Sequence, residues 1–174
     1  IRDRFQSAMQ IRRSSRLNCF NSVAVGYPVG LIIDGEKGNT VEQAQEGIIN
    51  LQNIWFAGMT VTGSDANKVY DGVLYDAVNK TIIDAGQESY SSSFFKAQKG
   101  NKVLADMNEL NFKDGRGIGV NYMPNANSPV LTAASFDNAL LDNGFDKVDY
   151  IGAFGINDSW LDGWTNFDPN NTDY

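Results

Sequence analysis

A ten-residue phrase occurs twice in this chain, and the duplication restricts its folding more than any other feature. Leu17-Asn18-Cys19-Phe20-Asn21-Ser22-Val23-Ala24-Val25-Gly26 returns as Ile49-Asn50-Leu51-Gln52-Asn53-Ile54-Trp55-Phe56-Ala57-Gly58. One offset aligns Asn18 with Asn50, Asn21 with Asn53 and Gly26 with Gly58, and carries on to set Val29 against Val61. Polar turn residues match as well as apolar ones, so the spacing predicts stacked turns of a solenoid, each adding strands to sheets that run along the stack. Asparagine tolerates the left-handed backbone region, and stacked amides hydrogen-bond between successive turns, so Asn21 and Asn53 are expected to lie one above the other.

Around the phrase, the chain alternates between strand-like and turn-like stretches. Ala8, Met9 and Ile11 are placed on a core with the neighbouring arginines outward. Leu17–Ile33 reads as strand, turn, strand, with Cys19, Val23 and Val25 on one face at period two and Gly26-Tyr27-Pro28 breaking the run. Asp34–Asn39 is a loop, and Thr40 is expected to cap a short helical turn over 41–45, with Glu42 in its first turn. Trp55 and Phe56 are adjacent, so in a strand one faces inward and the other outward, and the outward ring needs cover from another segment. From Gly63 the period changes. Val69, Tyr70, Val73, Leu74, Ala77 and Val78 fall at helical spacing with Asp65 as cap, and Val103, Leu104, Met107 and Leu110 mark a second helix face. Residues 63–112 are therefore read as a helical insertion and 113–174 as a loop-rich return, with a short helix over Ser135–Asp142 and an aromatic-rich terminal cap. In that cap Phe154, Trp160, Trp164 and Phe167 are expected to be covered.

The bulk properties are those of one folded domain across 1–174, with rungs over 1–62: 174 residues, 42% hydrophobic and 11% aromatic. Ile1 stands where a start methionine would, and the chain is read as a processed product or a piece of a longer protein. No apolar run is long enough to span a membrane. The net charge of −7 is uneven. Five arginines face one aspartate within the first sixteen residues, whereas eight aspartates face one lysine from Asp137 onward. An acidic chain of this kind is not expected to bind nucleic acid. The single cysteine, Cys19, excludes an internal disulfide and is read as a small core residue. There is no histidine, which removes the commonest general base and transition-metal ligand, and every Ser-His or Cys-His arrangement.

Two stretches carry a family resemblance. Ala8–Ser15 with Asn21–Leu31, and Tyr150–Gly155 with Trp160, Gly163-Trp164-Thr165 and Asp168-Pro169, resemble the end of a Bacteroidetes secreted or lipoprotein-type surface-protein family of unknown function. The resemblance implies the C-terminal rungs of a right-handed parallel β-helix, an address outside the cell or on its outer surface, and no established reaction. It leads to the expectation of a mainly β fold with an α-helical insertion. The role read for the chain is a non-catalytic scaffold or binding protein with a glycan or cell-surface partner, and an exposed solenoid end is expected to self-associate or recruit a partner chain. The competing reading is a carbohydrate-active β-helix, lyase- or hydrolase-like, with its chemistry on rungs that are missing.

Site motifs are few. Gly115, Gly117 and Gly119 lack the spacing of a dinucleotide turn, and neither a phosphate loop with its lysine nor a G-x-S-x-G elbow occurs. Asn157–Gly163 partly copies an EF-hand loop, but Trp160 occupies a ligand position and Pro169 stands where the last glutamate belongs. An irregular Ca²⁺ site built from Asp158, Asp162 and Asp168 is weighed against turn-forming aspartates, and the turn reading is preferred. Without it no cofactor is expected. Trp160, Trp164 and Tyr174 form a candidate sugar platform beside those acids, weighed against an aromatic plug. Arg12, Arg13 and Arg16 are the right type for a lyase base, but no spacing selects them, and no catalytic residue is assigned.

Overall fold

The computed structural model describes residues 6–65, 69–70, 73–76, 81–85, 88–114, 121–158, 160–166 and 168–172. The chain divides into two compact units, Ile1–Met107 and Asn108–Tyr174.

The first unit is built on the duplicated phrase. Strands β2 (Asn18–Val25) and β4 (Asn50–Ala57) pair in parallel with Asn18 opposite Asn50 and Val23 opposite Trp55. The flanking strands β1 (Ser7–Arg12), β3 (Val29–Asp34) and β5 (Val61–Asp65) form a second parallel set, with Val29 opposite both Ser7 and Val61. The asparagines stack as their spacing requires. Asn50 Nδ2 donates to Asn18 Oδ1 at 2.7 Å, and Asn53 Nδ2 to Asn21 Oδ1 at 2.7 Å. Gly26 N–H donates to Ala57 O at 2.9 Å, so the two phrases also end together.

Asn21 and Asn53 adopt φ of 49° and 55°, inside their strands. A left-handed residue interrupts the two-residue alternation and re-aims everything after it. In β4 the core residues are consequently Leu51, Ile54 and Phe56, and in β2 Cys19 and Ala24 pack on the same core. The expected grouping of Cys19 with Val23 and Val25 is corrected by this shift of phase. The column has a third member. β9 (Lys102–Leu104) pairs in parallel with β4, and Gly100, at φ 76°, falls where the next asparagine would stand. Asn53 N–H donates to Lys99 O at 2.9 Å and Ile54 N–H to Asn101 Oδ1 at 2.8 Å. A side chain on Gly100 would come within 3.1 Å of Asn53 Oδ1, so the position needs glycine for its backbone and for its room.

Both rings of the Trp55-Phe56 pair are buried. Phe56 turns inward and stacks on Phe95 at 4.2 Å between centroids and 7° between planes. Trp55, on the opposite face, is roofed by Lys102, whose Nζ sits 4.1 Å from the ring centroid. Phe95 arrives on helix α2 (Tyr90–Ala97), capped by Ser89, which accepts from Ser92 N at 3.1 Å. The start of α2 lies against β5 at Gly63, where an added Cβ would stand 2.4 Å from Ser92 N. Ser91 Oγ accepts from Ile33 N at 2.9 Å and ties the helix to β3. Helix α1 (Thr40–Gln45) begins at Asn39. Thr40 is not its cap: it is buried, and its Oγ1 accepts from Ser14 N at 3.1 Å.

The right-handed parallel β-helix is not what the chain forms. Among the described residues, parallel pairing is confined to β1-β3-β5 and β2-β4-β9. Beyond β5 the first sheet continues through β6 (Val69–Tyr70), β7 (Val73–Asp76) and β8 (Thr81–Ala85), all antiparallel. The result is short strands in mixed sheets with two helices, and neither a solenoid nor a closed sheet is found among the described residues. Connector length gives the reason. Parallel neighbours need a crossover of roughly a dozen residues or more, and the parallel neighbours among β1 to β5, like β4 and β9, are joined by connections of that length. The segments after β5 are separated by a few residues each, which permits hairpins alone.

The same segments overturn the helix expected over Val69–Val78. Spacing 1-2-5-6 fits a helix face and also two strands joined by a tight turn, and the β-branched and aromatic content favours strands. Ala77 and Val78 lie outside the described residues. The second expected helix is β9 followed by a single 3₁₀ turn, Met107–Leu110. Ser135–Asp142 contributes only the 3₁₀ turn Ala139–Leu141, started by Asn138 Oδ1 accepting from Leu140 N at 2.9 Å.

Among its described residues the second unit has one antiparallel pair, β10 (Phe112–Asp114) with β11 (Asn121–Pro124), and buries Leu110, Val130, Leu141 and Ile151. Asn111, at φ 51°, accepts at Oδ1 from Asn125 Nδ2 at 3.0 Å and donates to Asn127. Ile151 N–H donates to Val130 O at 2.9 Å and holds the chain as it enters the tail.

Asn53→Ala loses both the amide bond and tolerance of the left-handed backbone, and is expected to destabilise the first unit by about 2–3 kcal/mol. Asn53→Gly retains the backbone and should cost about 1 kcal/mol. Urea unfolding of the two variants checks the order, and equal losses would mean that the amide alone matters.

Candidate functional site

The tail from Tyr150 is a series of turns, and its shape depends on a few polar anchors. Asp158 is the first. Its Oδ2 accepts from Gly155 N at 2.5 Å, and the carboxylate also takes a hydrogen bond from the Tyr150 hydroxyl. Gly155 is buried between the two, since an added Cβ would meet Tyr150 Cε1 at 2.9 Å and Asp158 Oδ2 at 3.2 Å. Desolvation raises the Tyr150 hydroxyl above its ordinary pKa, and the hydrogen bond and charge of Asp158 raise it further.

On this base stands a column of three aromatic rings. Phe154 and Trp160 stack with centroids 5.2 Å apart and planes 13° apart, and Trp164 follows at 5.9 Å and 31°. Trp160 Nε1 donates to Ala153 O at 2.9 Å, and Trp164 Nε1 donates to Trp160 O. Each indole is thereby fixed by its only polar atom. Thr165 secures the turn, its Oγ1 donating to Leu161 O at 2.9 Å. The rings are nevertheless open to solvent, Trp160 at 51% and Trp164 at 68%. The expected cover over them is thus corrected: these two are a surface feature. Other large apolar side chains of the unit are exposed too, including Leu140 and Phe145, but no ring contact or indole anchor fixes them.

The remaining candidates separate. Tyr174 and Phe167 lie outside the described residues. Asp158 is committed to Gly155 and Tyr150, and Asp168 accepts from Asn171 Nδ2 with both oxygens, at 2.8 and 3.0 Å. Asp162 is exposed. Among the described residues no group of three or more His, Cys, Asp or Glu side chains is placed to hold a metal ion. Asp158 and Asp168 serve the turns, as their type favours. In the first unit Arg12 is engaged with the buried Asp34 at 3.5 Å, while Gln10 Nε2 donates to the same carboxylate at 3.0 Å. Arg13 sits in a turn at φ 56°. Arg16 is exposed on the loop that follows. Cys19 is half-buried, with Sγ 3.4 Å from Ser22 Oγ. No helix among the described residues is long and apolar enough to cross a membrane.

Sequence reasoning selected the two tryptophans but missed Tyr150 and Phe154 as their support. The available signal was the spacing of Tyr150, Gly155 and Asp158, which brings a hydroxyl, a bare backbone N–H and a carboxylate within one turn. Comparison with protein-family models, curated proteins and solved structures finds no match to this chain.

Tyr150 keeps its proton in the folded unit at a pH where the unfolded chain releases it. Its contribution to stability is therefore complete below the ordinary tyrosine value of 10.0 and is lost as pH rises through the raised folded value. Ultraviolet titration of tyrosinate is expected to show Tyr150 titrating late. Asp158→Asn should move it back toward the ordinary value without fully restoring it, because burial remains.

Proposed function

We propose that this chain is a non-catalytic binding or scaffold module, acting outside the cell or on its outer surface and engaging its partner through the Trp160–Trp164 face. The observation that carries the reading is that two indoles with satisfied N–H groups stand open to solvent in a fixed orientation. An exposed tryptophan that only closes its own turn gains a hydrogen bond from such anchoring. One that binds gains a rigid contact surface with little side-chain entropy left to lose. The absence of histidine supports a binding role over acid–base chemistry. The extracellular address rests on the resemblance of Ala8–Ser15 with Asn21–Leu31, and of Tyr150–Gly155 with Trp160, Gly163-Trp164-Thr165 and Asp168-Pro169, to a surface-protein family, and a glycan or cell-surface partner fits that address.

Arrays of immobilised neutral glycans, acidic glycans and basic peptides test the reading. The wild-type chain is expected to be retained by at least one class, the doubly substituted Trp160→Ala/Trp164→Ala chain by none, with no cleavage products released. Retention by no class, or turnover of any of them, contradicts it.

A further inference from the structure

We infer that the Trp160–Trp164 face recognises a neutral, hydroxyl-rich glycan, with a pyranose ring stacked on the Trp164 indole; this rests on the binding role proposed above. Three observations select the ligand class.

The first is shape. Phe154 and Trp160 are stacked with 13° between planes and Trp164 follows tilted by 31°, so the described rings end on one open indole, Trp164, rather than forming walls around a cavity. A flat ligand with one apolar face matches it, and the axial C–H face of a pyranose is such a face. A quaternary ammonium group would instead be held by rings approaching from several sides.

The second is charge. Eight aspartates and one lysine from Asp137 onward leave this region strongly negative. Uronate polymers, sulfated glycans and nucleic acids are repelled by that field. The third is the polar surround. Asn157, Asp162 and Asn170 are exposed in the same segment as the indoles. Amide and carboxylate groups of this kind exchange hydrogen bonds with sugar hydroxyls, while the fixed indoles supply the apolar contact. Trp164, the more exposed ring at the end of the described column, carries the stacked sugar, and Trp160 supports it from behind.

Cellohexaose, mannohexaose and chitohexaose serve as neutral probes, hexagalacturonate as an anionic one and oligolysine as a cationic one, each titrated while indole fluorescence and heat are followed. At least one neutral hexasaccharide is expected to give a saturable fluorescence change. Trp164→Ala should weaken binding about tenfold or more. Trp164→Phe should recover part of it, and Phe145→Ala, which removes an exposed ring outside the column, should leave it unchanged. Thermal melts of Trp164→Ala separate lost binding from lost folding. Preference for hexagalacturonate or oligolysine overturns the glycan assignment while leaving the binding role intact. Neutral binding that survives Trp164→Ala in a folded chain overturns the site. Binding of no probe overturns the glycan assignment, and no retention on the arrays as well removes the binding role itself.

Discussion

The left-handed column at Asn21, Asn53 and Gly100 is the constraint on which the first unit depends. Each of these residues has a backbone that most L-residues avoid, and the asparagine pair is joined by an amide hydrogen bond. A shift of one residue between β2 and β4 would break that bond and place a left-handed residue against an extended one. It would also turn the core side chains to the opposite face. The column thus fixes register and orientation together. Phe56 reaches Phe95, and Trp55 reaches Lys102, because the alternation is reset at Asn53.

The duplicated phrase made this much legible, since two asparagines and a glycine recurring at one offset specify which residues face each other. Its extension to a solenoid failed on connector length. A repeat present twice stacks two strands, and the third position is filled by β9 after a long excursion. The excursion itself was misread because Val69, Tyr70, Val73 and Leu74 satisfy a helical period and a hairpin equally. Pairing partners decided between the two, and a local pattern does not contain them. Thr40 shows the same limit on a smaller scale. A threonine before a helix reads as a cap, but here its hydroxyl serves the turn at Ser14 from another part of the chain.

In the second unit, aromatic content was legible and its disposition was not. Burial is the default for tryptophan, yet Trp160 and Trp164 are exposed, each with its indole N–H held by a carbonyl nearby in sequence. Asp158 illustrates the companion point. A carboxylate near two others resembles a cation site in sequence, but once it holds Gly155 N and the Tyr150 hydroxyl it is a structural anchor for the turns beneath the rings. What is left at the surface is a pair of anchored indoles in a segment rich in carboxylates.

Residue-resolved NMR of the chain tests the register most directly. Cross-strand nuclear Overhauser contacts should join the side-chain amides of Asn21 and Asn53 and place Val23 opposite Trp55, with couplings at both asparagines that report positive φ. Contacts placing Asn53 opposite Phe20 or Ser22, or extended backbone at either asparagine, would contradict the column and the fold built on it.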